Sequence, residues 1–260
     1  MPDFMYKIPN VIVMLLFIIG IALPMEIFPV LLHTIPFFTP TEDSAKLAGS
    51  LMSPIGGATG LVIGFLLNQA QSAFREAESV CSTEAGKINN LDRLLLRYSI
   101  EETRHIRVHL QEYIKLIIND EWKIMQMDES SKLVHMCWRN ISQEIFKLTP
   151  STPKETTLFS DIIHKAEEVA EAREARLDRA DKKLPILYWG VIGLLLTALM
   201  FINTMFIRSN HVVVGLTIMP VVFGGLTSLL VITDQPFKGR SCIKPTALTK
   251  ILASILTRKS

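Results

Sequence analysis

The sequence predicts an all-α membrane protein: four transmembrane helices in two pairs, with a helical cytoplasmic insert continuous with the second and third spans. Three observations predict it. The first is the spacing of charge. No Asp, Glu, Lys or Arg lies between Lys7 and Glu26, Lys46 and Arg75, Lys183 and Arg208, or Arg208 and Asp234, and each gap holds at least 18 residues. A helix of about 20 apolar residues crosses a bilayer, and a charge at its centre costs about 2.5–3.5 kcal/mol. The second is that hydrophobic residues make up 49% of the chain and gather in those gaps. The third is a charged stretch between the second and third gaps whose apolar residues recur at helical spacing.

The first span is expected from about Pro9 to Leu32. Its apolar run resembles a signal peptide, but only Lys7 precedes it and Pro24-Met25-Glu26 offers no small-residue cleavage site, so it reads as a retained span. Pro24 and Glu26 predict a kinked or irregular outer third. A short polar loop, His33 to Lys46, leads to the second span, Leu47 to Leu67. The third span is expected from Leu187 to Ile207 and the fourth from Val212 to Ile232, an antiparallel hairpin closed by Arg208 to His211. The domains expected are residues 1–67, the first pair; 68–184, the helical insert; 185–233, the hairpin; and 234–260, a basic tail.

In the insert, Ile106, Leu110, Tyr113, Ile114, Ile117 and Ile124 form one stripe. The clearest breaker of the insert lies at Thr149-Pro150-Ser151-Thr152-Pro153. Ser160 to Lys183 reads as a charged amphipathic helix with acid–base pairs at Asp161 and Lys165 and at Asp178 and Lys182, bending into the third span at Pro185.

Four spans put both termini and the insert on one side. Of 27 Lys and Arg residues, only Lys46 and Arg208 fall in the two outer loops. The tail carries Lys238, Arg240, Lys244, Lys250, Arg258 and Lys259. The positive-inside rule makes the shared side cytoplasmic, so the chain is expected in a plasma (bacterial inner) membrane with the lipid bilayer as its first partner. Tyr188 and Trp189 sit where an interfacial anchor belongs. A net charge of +2 does not suggest a nucleic-acid partner. Cys81, Cys137 and Cys242 are too far apart for a disulfide or metal motif and read as reduced thiols.

The second span carries the most informative pattern. Gly56, Gly60 and Gly64 recur every four residues, with Ser53 and Gly57 nearby. Small residues at this spacing let helix backbones approach closely. They suit packing within or between subunits, or one wall of a pore. Leu67, Asn68, Gln71, Arg75 and Glu78 continue roughly that face, which changes from small to polar to charged. A conduction path needs such a change, from a narrow constriction to a hydrated vestibule. Phe65, Leu66 and Leu67 are candidates for the apolar constriction, and Arg75 and Glu78 for vestibule charge.

Glu26, the carboxylate inside an apolar run, suits either an interfacial position or a pore-mouth or relay role. Glu102, His105 and His109 resemble half of a carboxylate–histidine metal site, but no second such motif occurs, so no metal is expected. There is neither a phosphate-cradling glycine loop nor a nucleophile–base–acid set, so neither catalysis nor a cofactor is expected.

Further residues suggest a family. Glu84-Ala85, a leucine-rich helix through Leu91 and Leu94, Tyr113 and Glu121-Trp122 resemble the core of the bacterial "bestrophin-like domain" family. Asp234-Gln-Pro236-Phe237-Lys-Gly239 is similar to its Asp-x-Pro-Phe-x-Gly ending. The resemblance covers nearly the whole chain. It implies layout kinship with bestrophins, which are oligomeric anion channels with the pore lined by the second span. The bestrophins' aromatic neck sequence and acidic calcium clasp are not found here. In physical terms, Asp234, Pro236 and Gly239 suit a capped turn at the inner membrane face, either structural or contributing to gating.

The expected function is therefore a cyclic homo-oligomeric ion channel, passing inorganic anions, chloride among them, along the second span into a vestibule built from the inserts. The alternative is a non-conducting membrane sensor or scaffold whose insert binds a cytoplasmic partner. A transporter is disfavoured by the lack of an inverted repeat.

Overall fold

A computed structural model describes residues 8–99, 101–127 and 129–258. Lys7 and Lys259, counted above as charges, lie outside the described residues. The elements are α1 (Asn10–Leu32), α2 (Glu42–Tyr98), α3 (Arg104–Leu116), α4 (Trp122–Ile124), α5 (Lys132–Ile145), α6 (Pro153–Asp181), α7 (Ile186–Thr204), α8 (Asn210–Thr233) and α9 (Thr246–Thr257). A 3₁₀ turn spans Pro36–Phe38, a π-helical turn spans Ile117–Glu121, and a second 3₁₀ turn spans Met125–Met127. No strand occurs among the described residues. The all-α expectation holds, and four apolar stretches are long enough to cross a membrane.

The chain divides into two compact units. The first holds the residues through Phe74 together with Lys183–Ser241. The second holds Arg75–Lys182 and the residues from Cys242 on.

In the first unit α1 packs along α8 and also meets α7. The helix α1 is unbroken through Pro24 and Pro29. Proline has no N–H, so Pro29 leaves the Met25 carbonyl without its helical donor. Asn203 Nδ2 on α7 donates to that oxygen at 2.7 Å. Inside a bilayer such a carbonyl needs a protein partner, and Asn203 is buried where it supplies one. Gly224 on α8 sets the approach of α1. A methyl group there would lie 2.6 Å from Ile18 Cα. The core of this unit joins Met25, Ile63, Leu66, Ile192, Leu199, Phe223 and Leu230.

The helix α2 begins five residues before the expected span. Thr41 and Ser44 cap it reciprocally, with Thr41 N donating to Ser44 Oγ at 2.8 Å and Ser44 N to Thr41 Oγ1 at 3.2 Å. Glu42 and Asp43 occupy the first turn, where acidic charge suits the helix dipole. No Gly or Pro occurs from Phe65 to Ala85, so nothing local stops the helix as it leaves the apolar stretch. It runs 57 residues in one piece.

In the second unit α3 packs on α5 and α9, and α5 meets α6. Five of the six residues of the predicted stripe form the buried face of α3 and its continuation: Ile106, Leu110, Tyr113, Ile114 and Ile117 have no solvent exposure, whereas Ile124 is half-buried. The helix α6 opens with a capping box, Thr152 with Glu155, and Pro153 at its first position. It stops at Asp181, and four non-helical residues precede α7, with Pro185 at its cap. The segment expected as a basic tail divides between the units. From Cys242 on it belongs to the second, where α9 buries Leu248 and Ile255.

Candidate functional site

The candidate site is the exposed face of α2. Successive residues turn by roughly 100°, so side chains can be placed around the helix from their numbers. Ala48, Thr59, Ile63, Leu66, Ala70 and Ala77 are buried and mark the inner side. Opposite them runs a line of exposed residues: Gly57, Leu61, Gly64, Asn68, Gln71 and Arg75. Ser79 and Ser82 extend it. The order is small, apolar, polar, then charged.

The three glycines singled out from sequence do not share this line. Gly56 is buried, and a methyl group there would lie 2.6 Å from Met219 Cε. Gly60 is half-buried, 4.0 Å on the same measure from Phe223. Gly64 is exposed with open space around it. Four residues on a helix advance about 400° rather than a full turn, so the stripe winds from the α8 contact to the free face. The constriction candidates separate too. Leu66 lies in the core, Leu67 is half-buried and Phe65 is 66% exposed. Leu61, at 78% exposure, is the large apolar residue on the line itself.

Arg75 and Glu78 are both exposed, and neither has an ion-pair partner among the described residues. Glu76, between them in sequence, is paired with Arg179 of α6.

The Asp234–Gly239 segment follows α8 as a turn. Asp234 Oδ1 accepts from Leu184 N at 2.8 Å, so it ties the end of α8 to the chain entering α7. Gln235, Pro236 and Phe237 are buried. Gly239 has φ 83°, a conformation that glycine adopts without strain.

The bestrophin-like domain model matches residues 19–248 of the sequence. The chain belongs to the bestrophin-like domain family. Its fold is similar to that of a bacterial bestrophin homologue from Klebsiella pneumoniae carrying a point mutation, at 14% identity over 94% of this chain and 98% of that one, with a TM-score of 0.70. A second crystal structure of a bestrophin homologue from the same organism, phased with zinc, matches at 14% identity over 96% and 98%, with a TM-score of 0.67. No curated protein matches the chain.

Two features of this bestrophin-like chain had only faint signals in sequence. The first lies at the far end of α1. Glu26 pairs with Arg208, and its Oε1 also accepts from Thr217 at 3.0 Å. Arg208 Nη1 donates to the Glu26 carbonyl at 3.0 Å. The intramembrane acid is thus bound within the chain. One acid in an apolar run and one base in the hairpin loop were the available signal.

The second is a buried charge cluster in the second unit. Arg176 has no solvent exposure. It donates to Glu84 through Nε at 2.6 Å and Nη2 at 3.1 Å, and to Glu121 through Nη2 at 2.7 Å. Arg173 holds Glu121 from the next turn of α6, its Nε 3.2 Å from each oxygen. The Trp122 ring lies 5.2 Å from the Arg176 guanidinium. The π-helical turn, one residue wider per turn than α, carries Glu121 at its end. Burial pushes Glu84 up from the ordinary carboxylate range, and Arg176 offsets this only in part. Burial acts on Glu121 too, but bonds from Arg173 and Arg176 outweigh it and hold that carboxyl down. Burial also pushes the Cys81 thiol up to about 12, which makes it a poor nucleophile.

His105 and His109 do gain a carboxylate from another helix. His109 Nδ1 lies 2.9 Å from Glu144 Oε2, and His105 Nε2 lies 3.9 Å from it. Among the described residues no group of three or more such side chains is arranged to hold a metal.

Proposed function

We propose that the protein is a homo-oligomeric ion channel that conducts anions along α2. The observation that carries this reading is the exposed line Gly57, Leu61, Gly64, Asn68, Gln71 and Arg75. Within the expected span the line carries two glycines beside a single apolar bulge, and past Leu67 it turns to amides and then a base, as a narrow path opening into water requires. Family membership and the likeness to bestrophin homologues support the same layout.

One chain has too few spans to enclose a water-filled path, so several copies surround a common axis, with α2 innermost and closed rotational symmetry. The remaining exposed apolar residues of α1, α7 and α8 face lipid. Lys46 and Arg208 are the Lys and Arg residues of the two outer loops, and Arg208 is paired with Glu26. The charge bias therefore supports a cytoplasmic second unit and cytoplasmic termini, in a plasma or inner membrane. Arg75 lies at the vestibule mouth, and the Asp234–Gly239 turn fixes where α7 and α8 meet the inner boundary. Selection at the uncharged constriction would act through size and dehydration.

The test is recording from purified protein in planar bilayers, with the native cysteines replaced by serine. Asn68→Cys and Gln71→Cys should lose current when treated with a charged thiol reagent. Leu66→Cys, in the core, should not. Absence of conductance under every salt gradient would overturn the reading.

A further inference from the structure

The charges on α2 beyond its apolar stretch pose a difficulty for anion passage. From Asn68 to Thr83 the helix carries one base, Arg75, and two acids, Glu76 and Glu78. Left alone, that mouth is net acidic by one charge per chain. In a ring of copies the excess is multiplied, and a ring of carboxylates at a vestibule favours cations.

The structure removes the imbalance from another element. Around the helix, Arg75 stands on the exposed line. Glu76 lies roughly 100° to one side and Glu78 roughly 60° to the other. Arg179, near the end of α6, reaches Glu76 and pairs with it. The pair is half exposed, with Glu76 at 50% and Arg179 at 27% side-chain exposure. An exposed pair of this kind contributes little to folding. Its effect on the local field is not small in the same sense. It brings the sum of Arg75, Glu76, Glu78 and Arg179 to zero and cancels the acid on one flank of Arg75.

We propose that Arg179 is a selectivity-determining positioning residue: by neutralising Glu76 it leaves Arg75, the base on the exposed line of α2 that passing anions meet, opposed by Glu78 alone rather than outweighed by two acids. Arg179 acts through its pair with Glu76, which lies off that line. This inference rests on the channel reading above and adds to it the residue that sets the sign of the permeant ion.

The experiment is measurement of reversal potentials in a potassium chloride gradient across planar bilayers, for the unaltered protein, Arg179→Gln, Glu76→Gln and the double variant. Arg179→Gln should move the reversal potential towards that of potassium. Glu76→Gln leaves Arg179 unpaired and should move it further towards chloride. The double variant restores the balance and should return it near the unaltered value. Since the pair is exposed, all four proteins should show the same thermal midpoint. An unaltered protein that conducts, with Arg179→Gln and Glu76→Gln unshifted, overturns this inference and leaves the channel reading standing. A double variant shifted as far as Arg179→Gln also overturns it, since Arg179 would then act other than through Glu76. An unaltered protein without conductance removes both.

Discussion

Arg176 and Glu84 meet where neither has any solvent exposure, the guanidinium donating both Nε and Nη2 to the carboxylate. Arg173 and Arg176 of α6, Glu84 of α2 and Glu121 of the π-helical turn thereby share a charge centre whose formal sum is zero. A buried pair is weak evidence of stabilisation, because desolvation offsets attraction. Breaking it is another matter. Arg176→Ala leaves Glu84 buried without its partner and should destabilise the second unit by about 3–5 kcal/mol. Arg176→Lys should recover only part, since an ammonium cannot donate in two directions as a planar fork does. Denaturant unfolding followed by Trp122 and Trp138 fluorescence reads both. A loss below about 1 kcal/mol for Arg176→Ala would show that the cluster does not hold the unit together.

The same cluster predicts an asymmetric response to acid. Glu121 is held below the ordinary carboxylate value, so its contribution is present above about pH 4.3 and is lost as pH falls through its lowered folded value. Glu84 is raised, so it takes up a proton while the unit is still folded, and its protonated form favours the folded state on acidification. The stability lost in acid should therefore belong to Glu121. Glu121→Gln should flatten the fall in unfolding midpoint between pH 5 and the acid limit, and Glu84→Gln, which removes a contribution of opposite sign, should make that fall steeper. Equal slopes in the parent and Glu121→Gln would refute the assignment.

The sequence announced what depends on runs and spacing. Four charge-free gaps became four apolar helical stretches, and the Ile106–Ile117 stripe became the buried face of α3 and its π turn. The winding of Gly56, Gly60 and Gly64 was concealed because a spacing of four reads as one face only over a short length. Glu121 illustrates a second limit. Its entry into the cluster depends on a π-helical turn, and nothing in Ile117-Ile-Asn-Asp-Glu121 marks one. The helix α9 was hidden behind its basic charge: Leu248 and Ile255 fit an amphipathic pattern, but Lys244, Lys250 and Arg258 dominate the composition. Trp122 Nε1 donating to the Ile243 carbonyl at 3.0 Å, and Arg258 reaching Asp92 at 3.1 Å, are long-range facts that local pattern does not carry.

The Glu26–Arg208 pair predicts a coupled pair of substitutions. Each residue is partly exposed, so the stabilisation is modest, on the order of 1 kcal/mol. Arg208→Ala also removes the donor to the Glu26 carbonyl and leaves an intramembrane acid without its base. It should therefore cost more than Glu26→Gln, which keeps an acceptor for Thr217. Thermal unfolding in detergent should show Glu26→Gln/Arg208→Ala less destabilised than the sum of the two singles. Additive losses would mean that the two side chains do not act on one another.

Gly224 makes the last prediction, because the approach of α1 and α8 leaves no room for a side chain. Its absent Cβ would sit 2.6 Å from Ile18 Cα and 3.1 Å from both Ile18 N and Phe17 O. Those are backbone atoms, which cannot rotate away as a side-chain tip can. Gly224→Ala must push the helices apart and should destabilise the first unit by about 1–3 kcal/mol, the range for overpacking a close contact. Gly225, its neighbour, faces open space on the same measure. Gly225→Ala should be neutral or slightly stabilising, since alanine favours helix over glycine. The comparison controls for helix propensity, which would move both variants in the same direction. Unfolding midpoints in detergent that rise together would show that α1 and α8 are not packed at Gly224, whereas a fall for Gly224→Ala alone fixes the contact.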